Sequence, residues 1–598
     1  MMLTMIGGMT GQRFNDIRTP FLILALIVQA SLLLRLDWMT SPNRTELGHI
    51  AAALRFYETG EYDLFHVNPP LTRMLVGPAV AQFAAPQTDW SDYSNDRVKR
   101  SEWATGVALV KANDADTIRK SFFFGRAVCI PLVLLGSVFG FLLARELFGD
   151  FSGFVFLIFW TFSPLILGWG ATICPDVAAA SLGLVALYAL RRWLLGSTWL
   201  QAVLAGLGLG LLPLVKTTWI IAFGIWPLLW LILSAFDGFH WKSCVQMTVI
   251  VGFGLLTLNA GYFFDGSFRP LRDYQFHSRS LTGLPHSTFK NVPVPFPKEF
   301  VQGIDTQRID FEQGLPSYLL GKHSDHGWWY YYLIALPLKE PLAFSLLSVV
   351  ALVLFGFVPF RASWRDELIL LLPLVAMFAF VSMQSGFSLH TRYILPALPL
   401  IYLWISRIGK IFTSEVTERS MKRLTRLSVA SVLSILLTTY TVSSLFCFPY
   451  MMSYTNELTR FCEKPPLLGS NMDWGQDLYE LKDWLDEHPE ARPLHIAFSG
   501  IFPLETLGIA SVGQPPHWKP GQMPTGLWDE QLRIGPRPGW YLLGTNDLYA
   551  ADHDYDWFHP LQPVKRIGDS IFIYNVSLDD ANRLRDQDNL PKLNENEL

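Results

Sequence analysis

Long apolar runs recur along this chain almost without interruption up to Tyr450, and they restrict its fold more than any other feature. A bilayer core takes roughly 20 apolar residues of helix to cross, because backbone groups must be satisfied within the crossing segment. Runs that reach or approach that length fall at 21–34, 122–143, 151–169, 173–190, 200–214, 219–235, 245–264, 337–360, 368–383, 393–405 and 427–448. The expectation is a polytopic α-helical membrane protein with about eleven transmembrane helices. Composition agrees, since 51% of the 598 residues are hydrophobic and only 16% charged, where a soluble domain carries about a quarter.

Charge at the ends of the runs gives a topology. Arg13 and Arg18 precede the first run in the manner of a signal peptide. No small-residue cleavage site follows it, so the run is expected to stay as the first anchor, with its basic flank inside. Counting crossings from there places Arg191, Arg192, Lys242, Arg361, Arg365, Lys410, Lys422, Arg423 and Arg426 on the cytoplasmic side, in agreement with the positive-inside rule. The same parity sends 37–120, 265–329 and everything beyond Tyr450 to the other face. The expected organisation is a membrane domain over 1–450, with outer loops 37–120 and 265–329, and an extracytoplasmic soluble domain over 451–598. Such a chain belongs in the cell inner (plasma) membrane as a multi-pass protein. The tail becomes rich in Asp, Glu, Pro and Trp, and its strand-like runs at 495–498, 540–543 and 570–574 predict a small α/β domain.

Several function classes drop out. The net charge of −4 and the absence of a basic face beyond the flanks of apolar runs argue against a nucleic-acid partner. Five cysteines without a CxxC pair argue against a redox motif or a metal cluster; they read better as small buried apolar residues. Two acids could hold a divalent ion, but no His, Cys or Asp cluster has ligand spacing.

Acids and bases predicted to share the outer face carry the chemistry. Glu46 lies just past the first run in Thr45-Glu46-Leu47-Gly48-His49. A carboxylate held there could take a proton from an acceptor hydroxyl, or it could simply be a favourable charge in the first turn of a helix. Asp176 follows Pro175 where two apolar runs meet; an acid at the mouth of a membrane helix is costly unless it works or is paired. Arg73, Arg126, Lys216 and Arg392 are predicted on the same face, against the positive-inside rule. Guanidinium and ammonium groups suit a phosphate or diphosphate leaving group, and the alternatives are lipid head groups or pairing with Glu46 and Asp176. In the tail, Asp473 and Asp477 flank Trp474, a combination that could meet an acceptor or a carbohydrate, or could build a turn.

With these residues in place, the chain resembles the bacterial family 39 glycosyltransferases, which share the membrane-embedded GT-C architecture with protein O-mannosyltransferases and aminoarabinose lipid A transferases. The resemblance is carried by Glu46, Asn68-Pro69-Pro70-Leu71, Pro175-Asp176, Lys216 and Arg392-Tyr393 followed by Leu395-Pro396. Gly327-Trp328-Trp329-Tyr330-Tyr331-Tyr332 and the tail segment 469–478, GSNMDWGQDL, look like segments common among bacterial members. The resemblance implies a GT-C fold and transfer of a sugar, hexosyl or pentosyl, from a polyprenyl-phosphate donor to a lipid, protein or polysaccharide acceptor, with inversion at the anomeric carbon. It implies Glu46 as the base, Asp176 as an orienting acid, and Arg73, Arg126, Lys216 and Arg392 as holders of the donor phosphate. His66, Asn68, His390, Tyr393, Trp328, Asp473 and Asp477 become candidate contacts to donor or acceptor. One departure stands out: the family's first motif is often Asp or Asp-Glu, whereas here Thr45 precedes Glu46. The competing reading is a transporter or flippase for a lipid-linked anion, which predicts internal repeats and helices interrupted at mid-membrane.

Overall fold

The computed structural model describes residues 11–384, 386, 388–413, 423–460, 462–524 and 528–594. The expected inner-face residue Lys422 lies outside them, as do the side chains of Arg13, Arg18, Arg423 and Arg426. Each of the eleven apolar runs falls on helix. Among the described residues, seven helices are long and apolar enough to cross a membrane: Thr19–Met39, Ala115–Phe148, Asp176–Gly196, Thr217–Asp237, Trp241–Ala260, Thr391–Phe412 and Leu427–Phe446. Two bent pairs pass together, Asp150–Phe162 with Pro164–Gly170 at 53° and Tyr331–Leu338 with Leu342–Phe355 at 118°, each a broken span or a re-entrant loop, which gives seven to nine spans among the described residues where about eleven were expected. The remaining two runs lie on Trp199–Val215, which is shorter, and Trp364–Ser382, whose first turn carries Asp366 and Glu367. The chain is thus a polytopic α-helical membrane protein with a small α/β unit in its tail.

The bends differ from the smooth spans expected from hydropathy, and they have local causes. At the first, Pro164 cannot donate a backbone hydrogen bond, and the Ser163 hydroxyl caps the new helix by accepting from Ile166 N at 3.1 Å. At the second, Lys339-Glu340-Pro341 interrupts the 337–360 run, and both charges are buried with partners. Lys339 Nζ donates to the carbonyls of Met452 at 2.7 Å and Asn471 at 2.6 Å. Glu340 accepts from Ser163, Tyr402 and Tyr440 at 2.7–2.8 Å. Small residues let neighbouring helices close on one another: a Cβ on Gly140 would sit 1.9 Å from the Phe156 ring, and one on Gly136 2.1 Å from Trp160.

Charged residues separate to the two ends of the bundle. At one end Arg191 pairs with Glu146 at 2.5 Å and Asp366 at 2.7 Å, Arg407 pairs with Glu367 at 3.0 Å, and Lys410 donates to Arg361 O at 2.9 Å. At the other end gather the helix termini that carry Glu46, Asp176, Lys216 and Arg392. Here the segment 37–120 forms helices Arg44–Thr59, Leu71–Phe83 and Glu102–Lys111, and the segment 265–329 contributes helix Lys298–Gln313 and a hairpin of Ser317–Leu319 with Lys322–Ser324. The two segments are tied by Arg100 to Asp310 at 2.6 Å and His66 to Glu299 at 2.9 Å.

In the tail, strand Gly539–Gly544 runs parallel to Leu494–Ala497 and antiparallel to Ile571–Val576, which pairs on its other side with Lys565–Ile567. Three of these strands coincide with the predicted runs; the short edge strand has no apolar alternation to announce it. Leu542, Ile567, Ile571 and Ile573 are buried with Leu478, Leu481 and Leu485 of helix Leu478–Glu487. All five cysteines are free thiols.

Candidate active site

Asp176, Lys216 and Arg392 meet where three helical segments begin or end. Asp176 opens helix Asp176–Gly196, Lys216 is the residue at which Trp199–Val215 turns to extended backbone, and Arg392 lies in the short helix Thr391–Ala397. The Lys216 ammonium donates to Asp176 Oδ1, and Arg392 Nη1 stands 4.0 Å from Asp176 Oδ2. Arg392 Nη1 also donates to Thr45 Oγ1 at 3.1 Å, and the guanidinium packs 5.0 Å from the Trp169 ring and 5.5 Å from that of Tyr393. Asp176, Lys216 and Arg392 are only 4%, 9% and 8% exposed, and among the described residues the Arg392 Nε–H has no hydrogen-bond acceptor. Two cations share one carboxylate with little water to screen them, an arrangement that favours a further anion.

Glu46 and Arg126 are brought close to this cluster but turned toward each other. Glu46 stands at the third position of its helix and completes a capping box with Asn43. Its Oε1 accepts from Arg126 Nε at 2.8 Å and Ile173 N at 2.9 Å, and its Oε2 from Arg126 Nη2 at 2.7 Å and Asn43 N at 3.0 Å. Arg126 donates its other N–H groups to the carbonyls of Asp37, Thr40 and Ser41 at 2.9–3.0 Å. With Glu46 0% exposed, each carboxylate oxygen holds two donors and all five guanidinium N–H groups have acceptors. The residue beside Glu46, Thr45, is the one whose side chain meets Arg392.

Arg73 is turned onto its own loop. It donates to Leu64 O at 2.9 Å, Phe65 O at 3.0 Å and the Asn68 carbonyl, closing a turn in which Phe65 adopts φ 57°. Burial pulls its guanidinium below the ordinary arginine value. Nearby, burial together with the charges of Arg73 and Arg392 holds the His49 imidazole well below its ordinary value, so that it is neutral beside the cations. His66 is engaged by Glu299, and Trp328 donates its backbone N–H to Ser388 Oγ at 3.3 Å.

The tail segment 469–478 reaches into the cluster. Trp474 Nε1 donates to Thr45 Oγ1 at 2.7 Å and its ring packs 5.1 Å from that of His390, whose Nδ1 is 2.7 Å from Ser470 Oγ. The backbone of this segment is stitched to 41–44 by Ser41 N to Gln476 O at 2.9 Å and Arg44 N to Trp474 O at 2.8 Å. Asn471 accepts from Thr391 N at 2.9 Å, the residue before Arg392. Asp473 and Asp477 face away from the cluster into the tail's own turn. Asp473 accepts from Gly475 N at 3.1 Å, and burial pushes its carboxyl well above the usual range. Asp477 accepts from Ser570 Oγ at 2.5 Å and Gln476 Nε2 at 2.9 Å, and burial pushes it up to about 7.

Of the candidates named from the sequence, Asp176, Lys216, Arg392 and Tyr393 lie side by side, and Thr45 and Trp169, which touch Arg392 directly, were not among them. The available signals were the adjacency of Thr45 to Glu46 and of Trp169 to the Pro175-Asp176 turn. Among the described residues no group of three or more His, Cys, Asp or Glu side chains is placed to hold a metal ion.

No family model matches the chain, and no curated protein matches it. Among solved structures it is similar to ArnT from Cupriavidus metallidurans bound to undecaprenyl phosphate, with 12% identity and a TM-score of 0.44 over 93% of this chain and 97% of that one. It is also similar to the archaeal oligosaccharyltransferase AglB from Archaeoglobus fulgidus in complex with an inhibitory peptide and a dolichol-phosphate, with 12% identity and a TM-score of 0.47 over 94% of this chain and 74% of that one.

Proposed function

We propose that this chain is a GT-C glycosyltransferase that moves a sugar from a polyprenyl-phosphate donor to an acceptor hydroxyl at the extracytoplasmic membrane face, with inversion. The observation that carries the reading is the buried excess of positive charge at Lys216 and Arg392 over the single carboxylate of Asp176. A phosphate monoester leaving group supplies the missing anion, and the isoprenoid tail has membrane helices beside it in which to lie. The order of Pro175-Asp176, Lys216 and Arg392-Tyr393 along the chain supports the same assignment.

In this reading the donor phosphate displaces Asp176 from Lys216 and takes the unused Nε–H of Arg392. That exchange frees the Asp176 carboxylate as it comes next to the acceptor. The acceptor oxygen attacks the anomeric carbon, the carbon–oxygen bond to phosphate breaks, the phosphate leaves with the electron pair, and the hydroxyl proton passes to Asp176. We assign the base to Asp176 rather than Glu46 because every lone pair of Glu46 already serves Arg126 and two backbone N–H groups. Arg126 and Arg73 then hold the scaffold, and Lys216 and Arg392 hold the phosphate. Sugars of either ring size, and acceptors of the lipid, protein or polysaccharide class, remain within this reading.

The test is transfer of radiolabelled sugar from a panel of polyprenyl-phosphate donors by purified, reconstituted protein. Transfer abolished in folded Asp176→Asn supports the reading. Labelled lipid crossing the bilayer with no sugar transferred replaces it with a flippase.

A further inference from the structure

Beside helix Leu427–Phe446, a groove of about 320 Å³ is lined by Thr438, Val442, Ser443, Phe446, Glu457 and Arg460. Its floor is apolar: Val442 and Phe446 are 57% and 74% exposed, and Ile435, about two turns before Val442, is exposed as well. Its head is charged. Glu457 and Arg460 lie in the segment that follows the helix, at the level where the apolar stretch ends and lipid head groups begin.

The two charges differ in how they are held. Glu457 is fixed by the Ser443 hydroxyl and by Leu342 N at 2.9 Å. Burial alone would raise its carboxyl, but these hydrogen bonds and the charge of Arg460 outweigh that and bring it below the usual value. Arg460 lies with its guanidinium 5.2 Å over the Phe446 ring and makes no ion pair or side-chain hydrogen bond among the described residues. Asp569 acts on it electrostatically from the tail. The groove thus presents, in sequence, a cation with no ion-pair partner among the described residues, a fixed anion and an apolar wall.

We propose that this groove binds one zwitterionic phospholipid of the phosphatidylethanolamine type. Arg460 takes the phosphate, Glu457 takes the ammonium, and an acyl chain lies along Val442 and Phe446. An anionic phospholipid would meet Arg460 equally well but would leave Glu457 facing a head group with no cation. The site is separate from the Asp176 cluster and does not depend on what that cluster does.

Native mass spectrometry of the full-length protein, given equal amounts of phosphatidylethanolamine and phosphatidylglycerol with the same acyl chains, tests this. Wild type is expected to keep one phosphatidylethanolamine with about fivefold preference. Glu457→Gln, which retains an acceptor for Leu342 N, should remove the preference. Arg460→Ala, at an exposed side chain, should lower retention of both lipids by a similar factor with an unchanged unfolding midpoint. Equal retention of the two lipids by wild type overturns the proposal, as does undiminished phosphatidylethanolamine on Arg460→Ala. If Glu457→Gln unfolds, the wild-type preference and the Arg460→Ala comparison still decide.

Discussion

The indole N–H of Trp474 donates to the Thr45 hydroxyl at 2.7 Å, joining two residues 429 positions apart. The same hydroxyl accepts from Arg392 at 3.1 Å, so the tail fixes a cation of the cluster through one shared oxygen. Trp474→Phe keeps the ring against His390 and removes the donor. We expect KM for the lipid donor to rise by about five- to tenfold, the worth of one hydrogen bond, with kcat nearly unchanged and folding intact. Steady-state kinetics over a donor concentration series checks this.

Asp176→Asn and Lys216→Met should each lower kcat/KM by about 100-fold or more, the usual scale for a general base or for a cation at a leaving phosphate. The two should be distinguishable. Asp176→Asn should lower kcat with donor KM nearly unchanged, whereas Lys216→Met should also raise donor KM.

Glu46 and Arg126 lead to a different expectation. Removing one member of a buried, fully bonded pair leaves an uncompensated charge and costs about 3–5 kcal/mol. Arg126→Met should therefore lower the unfolding midpoint strongly, and Glu46→Met with Arg126→Met should recover part of the loss. A Glu46→Gln protein that unfolds like wild type yet transfers no sugar would return the base to Glu46.

Asp477 gives the tail a pH response. Its native value of about 7 lies above the unfolded value of about 3.9, so the native state holds the proton between those limits and the unfolded chain does not. This contribution is complete below about pH 4 and is lost as pH rises through about 7. Asp477→Asn, which stays neutral, should show a flatter unfolding midpoint than wild type between pH 4 and 8. A wild-type midpoint that climbs over that interval in step with the variant would contradict the assignment.

Topology is tested by reporter fusions. Reporters inserted in the 37–120 segment and fused at the C-terminus should be active on the extracytoplasmic side, and one placed at 361–365 should be active inside.

The eleven apolar runs, the tail strands and the neighbourhood of Asp176, Lys216 and Arg392 were legible because each depends on local pattern: hydrophobic length, alternation, and charges at run ends. The orientation of Glu46 was not legible. Its side chain is claimed by Arg126 from another helix and by Ile173 N from a third segment, and no local signal announces a partner 80 or 127 residues away. Arg73 misled for a related reason. A guanidinium beside a Pro-Pro turn reads as a ligand-binding charge, yet it serves the carbonyls of its own loop. Lys339 and Glu340 were hidden inside an apolar run, where hydropathy averages away the two charges that bend it.

The carbonyl partners of Lys339 lie 113 and 132 residues further along the chain. Both acceptors are therefore made after Lys339, and a buried charge left without acceptors is costly. The sharp turn at 339–341 can settle only after the tail has followed. A chain ending before Met452 would lack both acceptors, so the turn at 339–341 ties the helical part of the molecule to the tail.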